Sequence, residues 1–247
     1  MPVIRLTPVV KFLLISCLVA FLIQQTADQF LGGNLTSLFG LVPAHAVFHF
    51  YLWQLGTYAF LHGDVLQLFL NLLMLVFIGS DLEALWGKTR FLKYYFFCSV
   101  SAGLLYLFLQ IFVWRESGLY TPMVGASGAI YGLLLAYGLI FGERVFLFLL
   151  LFPMKAKHFI WILAAMELMT TVFSGRGGLA SAAHLGGMAA GFAYLLARAT
   201  WKLRKSRKAS GAPQKSQSHL KLIIDNERKQ PRRPAWEDPD NDPKTWH

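Results

Sequence analysis

Apolar residues in this chain gather into six blocks separated by polar breaks, at about 6–23, 65–78, 91–113, 127–141, 159–173 and 180–197. A bilayer-spanning helix needs on the order of 20 apolar residues, so several blocks are short for the task. Each block is predicted to be a helix, because lipid offers no partner for an unpaired backbone N–H or C=O. The apolar run 145–152 is too short to cross, ends before Pro153 and is expected at the membrane interface. The gap 24–63 is long and unusually apolar, with Phe48, Phe50, Tyr51, Leu52 and Trp53 close together. Such a loop is expected to lie partly within one leaflet, its aromatic rings at headgroup level.

Composition fits the pattern. The 247 residues are 55% hydrophobic and only 15% charged, with a mean hydropathy of +0.48. Soluble domains carry roughly a quarter charged residues, so an ordinary soluble enzyme is excluded, along with a disordered chain, collagen and a disulfide scaffold. The charge is uneven: residues 201–247 hold 12 Lys+Arg against 6 Asp+Glu. The expected organisation is an all-α, polytopic six-helix body over 1–200 and a basic, disordered tail over 201–247. Lys202, Arg204, Lys205, Arg207 and Lys208 open that tail, and anionic lipid is their expected partner. No nucleic-acid partner is expected, since no aromatic interleaving accompanies the charge.

Basic residues also set an orientation. Arg115 and Arg176 fall in odd-numbered gaps; the other 21 Lys and Arg fall on the opposite side. Both termini are therefore expected in the cytoplasm. The first block reads as a retained span, because 24–29 lacks the small-x-small pattern of a signal cleavage site. Cys17 and Cys98 both lie in spans and read as small core residues, with no disulfide, metal site or cofactor implied.

Within a bilayer, each polar side chain is a candidate for function. The interior set is Gln67, Asn71, Ser127, Glu167 and His184. Only Ser127 and His184 pair a nucleophile with a base. Ser127 lies about 24 Å of helix above Glu143-Arg144, and His184 about 21 Å above Arg198, at 1.5 Å per residue. The two spans run parallel, so the two side chains share a depth. Gly128, Gly132 and Ala136 repeat at four-residue spacing, as do Ala183, Gly187 and Gly191, and small-residue stripes let helices approach closely in lipid. Facing stripes would bring hydroxyl and imidazole together, with Tyr131 one turn below Ser127 and placed to pack on the ring. Singly, a membrane serine usually bonds back to its own helix, and a histidine near a helix end usually packs; matched depth and matched stripes lift the pair above those readings.

The segment Gly125-Ala126-Ser127-Gly128 resembles the Gly-x-Ser-Gly motif of rhomboid intramembrane serine proteases in their bacterial six-helix form. That family opens its fourth helix with this motif and carries a His followed by Gly-x-x-x-Gly in its sixth, here His184, Gly187 and Gly191. Its second-helix pattern of a His and an Asn nine residues on is matched by His62 and Asn71, with Glu83 at the inner end. The likeness runs through 1–200 in order and spacing. Two positions depart from it: Gln54 stands where the family often has Arg, and Gln67 where it often has His.

The resemblance implies peptide-bond hydrolysis in or beside transmembrane segments of membrane-protein substrates. Ser127 would be the nucleophile and His184 the general base, in an inner membrane, with the site open to the external face. Asn71, Gln67 and the Ser127 N–H would hold the oxyanion; a Gln amide can donate but carries no charge. Gly125, Gly128 and Tyr131 would support the site, and His62, Glu83, Gly187 and Gly191 the frame. No Asp is placed to orient the imidazole, so a dyad is expected, with Glu167 facing the bundle interior without a role. Two other readings are a rhomboid fold that binds membrane proteins without cutting them, which Gln67 favours, and a small transporter using Glu167. The latter is weak, because no basic residue reads as sharing the depth of Glu167.

Overall fold

The structure is a computed structural model that describes residues 6–114, 118–148, 152–175 and 178–210. Arg115, Arg176 and the tail beyond 210 lie outside the described residues; residues 201–210, expected at the start of the disordered tail, are helical instead. The chain divides into the units Met1–Arg204 and Lys205–His247.

Among the described residues, five helices are long and apolar enough to cross a membrane, and a sixth apolar helix is shorter. The protein is an all-α, multi-pass membrane protein. The five are α1 (Pro8–Phe30), the pair α5 (Val65–Met74) and α6 (Ser80–Trp86), α7 (Lys88–Phe112), α9 (Ala156–Phe173) and α10 (Gly178–Ser210), and the shorter helix is α8 (Ser127–Ile140). A π turn, Leu75–Gly79, joins α5 to α6. Three short helices, α2 (Leu35–Phe39), α3 (Pro43–Phe48) and α4 (Gln54–Thr57), and a 3₁₀ turn at Tyr58–Phe60 fill the segment between α1 and α5.

Several boundaries differ from the hydropathy pattern: the second span runs on from Ile78 to Trp86, and α10 from Ala197 to Ser210. Helix α1 runs seven residues past Ile23 to Phe30. Gln24-Gln25-Thr26-Ala27-Asp28-Gln29 is polar but contains no Gly or Pro, so polarity ends the apolar block without ending the helix. The stop comes at Gly32, with φ of +65° just past the Leu31 cap. Strands form at both ends of the run 145–152. Strand β1 (Val145–Phe148) pairs antiparallel with β2 (Phe152–Lys155), placing Pro153 opposite Leu147.

Glu83 fixes the inner end of the bundle. Its buried carboxylate accepts the N–H groups of Val9 and Val10 at 3.0 and 2.9 Å, and the Thr7 hydroxyl. The first turn of α1 has orphan donors and a positive dipole end, and no local side chain caps it. An acid from α6 does so instead, which ties the first and second spans together. At the same end Arg144 pairs with Asp81, linking the segment after α8 to α6. Glu143 pairs with Lys155 and Lys157, and these lysines hold its carboxyl down to about 2.

The middle of the bundle is packed on small residues. A Cβ placed on Gly187 of α10 would lie 2.1 Å from the Gly128 carbonyl oxygen of α8, and one on Gly132 would lie 3.2 Å from the Gly187 oxygen. The two small stripes therefore meet at these three glycines. They meet over a floor that hydropathy does not reveal. Helix α7 supplies Tyr94, Cys98 and Ala102 at four-residue spacing: Ala102 limits Gly128, Cys98 limits Gly132, and Tyr94 limits Gly191. The Tyr94 hydroxyl also donates to the Gly132 carbonyl at 2.8 Å. Cys17 and Cys98 are both buried, free thiols.

Because the obstacle at Gly187 is backbone, which cannot rotate away, Gly187→Ala is expected to force α8 and α10 apart. The cost of such overpacking is about 1–3 kcal/mol. It is checked as a lowered thermal midpoint in detergent, and an unchanged midpoint would show that the helices are not in this register.

Candidate active site

The segment leading into α8 is pinned before the helix starts. Met123 and Leu41 exchange two backbone hydrogen bonds of 2.9 Å, and the Gly125 N–H donates to the Tyr58 carbonyl at 3.0 Å. Gly125 has φ of +122°, a conformation closed to side chains, and a Cβ there would sit 2.8 Å from the Gln67 amide nitrogen. The chain then enters α8 with Ser127 as its first helical residue. The N–H groups of a first turn have no partner within their own helix, so the serine sits where backbone donors are free.

Ser127 Oγ lies 2.8 Å from His184 Nε2. Tyr131 stacks on the imidazole with ring centroids 4.2 Å apart and planes within 7°. The three side chains come from two parallel helices held at glycine contact one turn away. Helix α8 has 14 residues, about 21 Å at 1.5 Å per residue, against a hydrocarbon core of about 30 Å. It is too short to cross that core by itself, and Ser127 at its N-terminus is only partly buried.

Gln67 and Asn71 stand one turn apart on α5. The Gln67 amide nitrogen donates to the Val124 carbonyl at 3.2 Å, and its oxygen accepts the Gly63 N–H at 2.7 Å. It thus clamps the strand before Ser127 and retains one further N–H. The Asn71 side chain is buried, and its amide nitrogen has no hydrogen-bond partner among the described residues. A buried donor without an acceptor is unusual and calls for one.

His62 is fully buried just before α5. Its backbone N–H donates to Gln24 Oε1 at 3.1 Å, and its Nδ1 lies 3.3 Å from the Phe60 carbonyl. Gln24 in turn donates to Thr36 at 3.0 Å, so the polar extension of α1 binds the connecting segment on both sides. Gln54, one of the two departures from the family pattern, is also fully buried. Its oxygen accepts the Val42 N–H at 3.0 Å, and its amide nitrogen donates to the Ser37 and Leu38 carbonyls at 2.9 and 3.2 Å. A neutral amide thus anchors this segment without a cation.

Glu167 corrects the sequence reading. It was expected to have no basic neighbour at its depth, yet its Oε1 lies 3.2 Å from His184 Nδ1. The approach is too oblique to form a hydrogen bond, and Nδ1 has no other partner among the described residues. The same oxygen accepts the Tyr131 hydroxyl. The signal was present in the numbering: counted from Lys155, Glu167 lies about 18 Å along α9, within one turn of the depth of His184. Among the described residues no group of His, Cys, Asp and Glu could hold a metal ion.

The Rhomboid domain model matches residues 49–200, more than half of the chain, which therefore belongs to the rhomboid family. Similar proteins include Rhomboid protease AarA of Providencia stuartii, 29% identical over 158 residues, covering 58% of this chain and 56% of the relative. Rhomboid-like protein 19 of Arabidopsis thaliana is 29% identical over 165 residues, covering 64% and 50%. Rhomboid-like protease 3 of Toxoplasma gondii is 36% identical over 97 residues, covering 39% and 34%. The chain thus spans between a third and somewhat over half of the length of these relatives.

Burial at His62 gives a pH signature. Desolvation pushes its imidazole down from 6.5 to about 4. Below pH 6.5 the unfolded chain binds a proton that the folded one refuses, so stability is lost as pH falls from 6.5 to 4. At 1.36 kcal/mol per unit the loss is about 3 kcal/mol. The thermal midpoint of wild type is expected to fall across that window more steeply than that of His62→Gln; parallel slopes would count against the buried neutral imidazole.

Proposed function

We propose that this protein is an intramembrane serine protease that cleaves peptide bonds in or beside transmembrane segments of other membrane proteins. The observation that carries the reading is the 2.8 Å contact between Ser127 Oγ and His184 Nε2, within a rhomboid-family chain. His184 Nε2 takes the hydroxyl proton as Ser127 Oγ attacks the scissile carbonyl carbon. The tetrahedral oxyanion is received by the Ser127 N–H and the unpartnered Asn71 amide, with the remaining Gln67 N–H alongside. Collapse breaks the C–N bond, and His184 returns the proton to the departing amine. A water molecule deprotonated by His184 then attacks the acyl ester, and Ser127 leaves as the hydroxyl.

The short α8 gives that water its route, because a helix that begins beneath the membrane surface leaves a polar depression above it. Lys88, Lys93, Arg144, Lys155 and Lys157 support a reading in which the site opens at the opposite, external face of an inner membrane, with both termini cytoplasmic. The connecting segment exposes Phe48, Phe50, Leu52 and Trp53 and lies against the outer leaflet. A transmembrane helix hides its peptide bonds in its own hydrogen bonds, so a substrate must unwind locally before reaching Ser127. The basic residues after Arg198 contact anionic lipid.

A fluorophosphonate probe is expected to label wild type and not Ser127→Ala. Labelling that survives in Ser127→Ala rejects the nucleophile, and a wild type that never labels favours a membrane-protein-binding rhomboid fold without catalysis. His184→Ala is expected to abolish cleavage of a model transmembrane substrate. Asn71→Ala is expected to lower kcat by about a hundredfold, the worth of one oxyanion donor; an unchanged kcat removes Asn71 from the site.

A further inference from the structure

Glu167 is the one acidic side chain in the apolar body of α9, and the reaction above does not use it. Ionisable groups at bilayer depth are rare and face a partner. Its side chain is 12% exposed and that of His184 17%. Three donors surround the carboxylate: the Tyr131 hydroxyl, the Ser181 hydroxyl and His184 Nδ1. One oxygen, Oε1, faces both members of the Tyr131–His184 stack. Three side chains from two helices thus converge on the imidazole, each by a different contact: Ser127 from α8 at Nε2, Tyr131 from α8 on the ring face, and Glu167 from α9 at Nδ1.

The chemistry of a histidine base gives this arrangement a purpose. For Nε2 to accept the serine proton, the ring hydrogen must sit on Nδ1, and a buried Nδ1–H needs an acceptor. When the proton moves, the ring becomes a cation in a medium with little water, where a neighbouring anion matters most. An acid at the far nitrogen serves both needs, fixing the tautomer and complementing the imidazolium without itself taking the proton. Glu167 Oε1, 3.2 Å from Nδ1, is the acceptor at hand.

We propose that Glu167 is a positioning residue for His184, making the catalytic group a Ser127–His184–Glu167 relay rather than a dyad braced by Tyr131 alone. The inference rests on the protease reading of this site. Its rival is that Glu167 merely holds the Tyr131 ring in place through the hydroxyl bond.

Glu167→Gln separates the two, since the amide keeps the shape and still accepts from Tyr131 but carries no charge. In liposomes, kcat on a model transmembrane substrate is expected to fall about tenfold or more with KM within twofold, and the fluorophosphonate labelling rate of Ser127 to fall in parallel. A kcat within twofold of wild type overturns the proposal. The same substitution in a Tyr131→Phe background is expected to cost a similar factor; if its effect vanishes there, Glu167 acts only through Tyr131 and the proposal fails. Should Glu167→Gln not accumulate, Glu167→Asp withdraws the charge by one methylene, and kcat is expected to drop at least threefold, an unchanged value again counting against it. Full wild-type labelling with indifferent Glu167 variants sinks this inference alone. A wild type that neither labels nor cleaves sinks the protease reading with it.

Discussion

Everything at the centre of this protein depends on how near two helix backbones can come. Hydrophobic attraction is no help between spans, since lipid tails are as apolar as side chains; close packing and polar contacts must hold the bundle. Gly187 resting on the carbonyl of Gly128 is that packing at its limit. It sets the distance between the axes of α8 and α10, and so the distance over which Ser127 and His184 can meet. The Tyr94–Cys98–Ala102 floor on α7 then fixes the rotation of both helices, because each of its three side chains fills the space opposite one glycine.

Several polar groups of this apolar body follow a second rule, in which each is answered by another from a distant part of the chain. Glu83 caps α1 from α6, Gln24 holds His62, Gln54 holds the segment around Val42, and Gln67 clamps Val124. Without water, such groups have strong reason to find partners, and each pairing therefore also acts as a tie between elements. The Asn71 amide and His184 Nδ1 are the members of the site that lack a completed bond. Both belong to the region read as reactive, where an unfilled bond is useful.

Much of this was legible from residues alone. The apolar blocks located the spans, and counting from basic residues put Ser127 and His184 at one depth. The four-residue stripes predicted the glycine contact. What escaped has physical reasons. The end of α1 was misplaced because hydropathy senses lipid, whereas helices end at Gly or Pro. The pairing of β1 with β2 was missed because a short apolar run carries no period long enough to distinguish strand from surface segment. The α7 floor was missed because Tyr94, Cys98 and Ala102 share spacing but differ in size. Glu167 was seen as anomalous yet left unpaired, because histidine was counted as a base for serine and not also as a neighbour for an acid.

The π turn at Leu75–Gly79 carries a consequence of its own. A helix with one residue inserted per turn changes phase, so the face that α5 presents is no longer the face that α6 presents. The second span is consequently two tools in one rod: its first half sets Gln67 against Val124, in the segment that enters α8, and its second half aims Glu83 at the start of α1. Shortening that turn by a single residue would rotate one half against the other, leaving either the reactive pocket or the inner collar misdirected while every side chain remained in place along the chain.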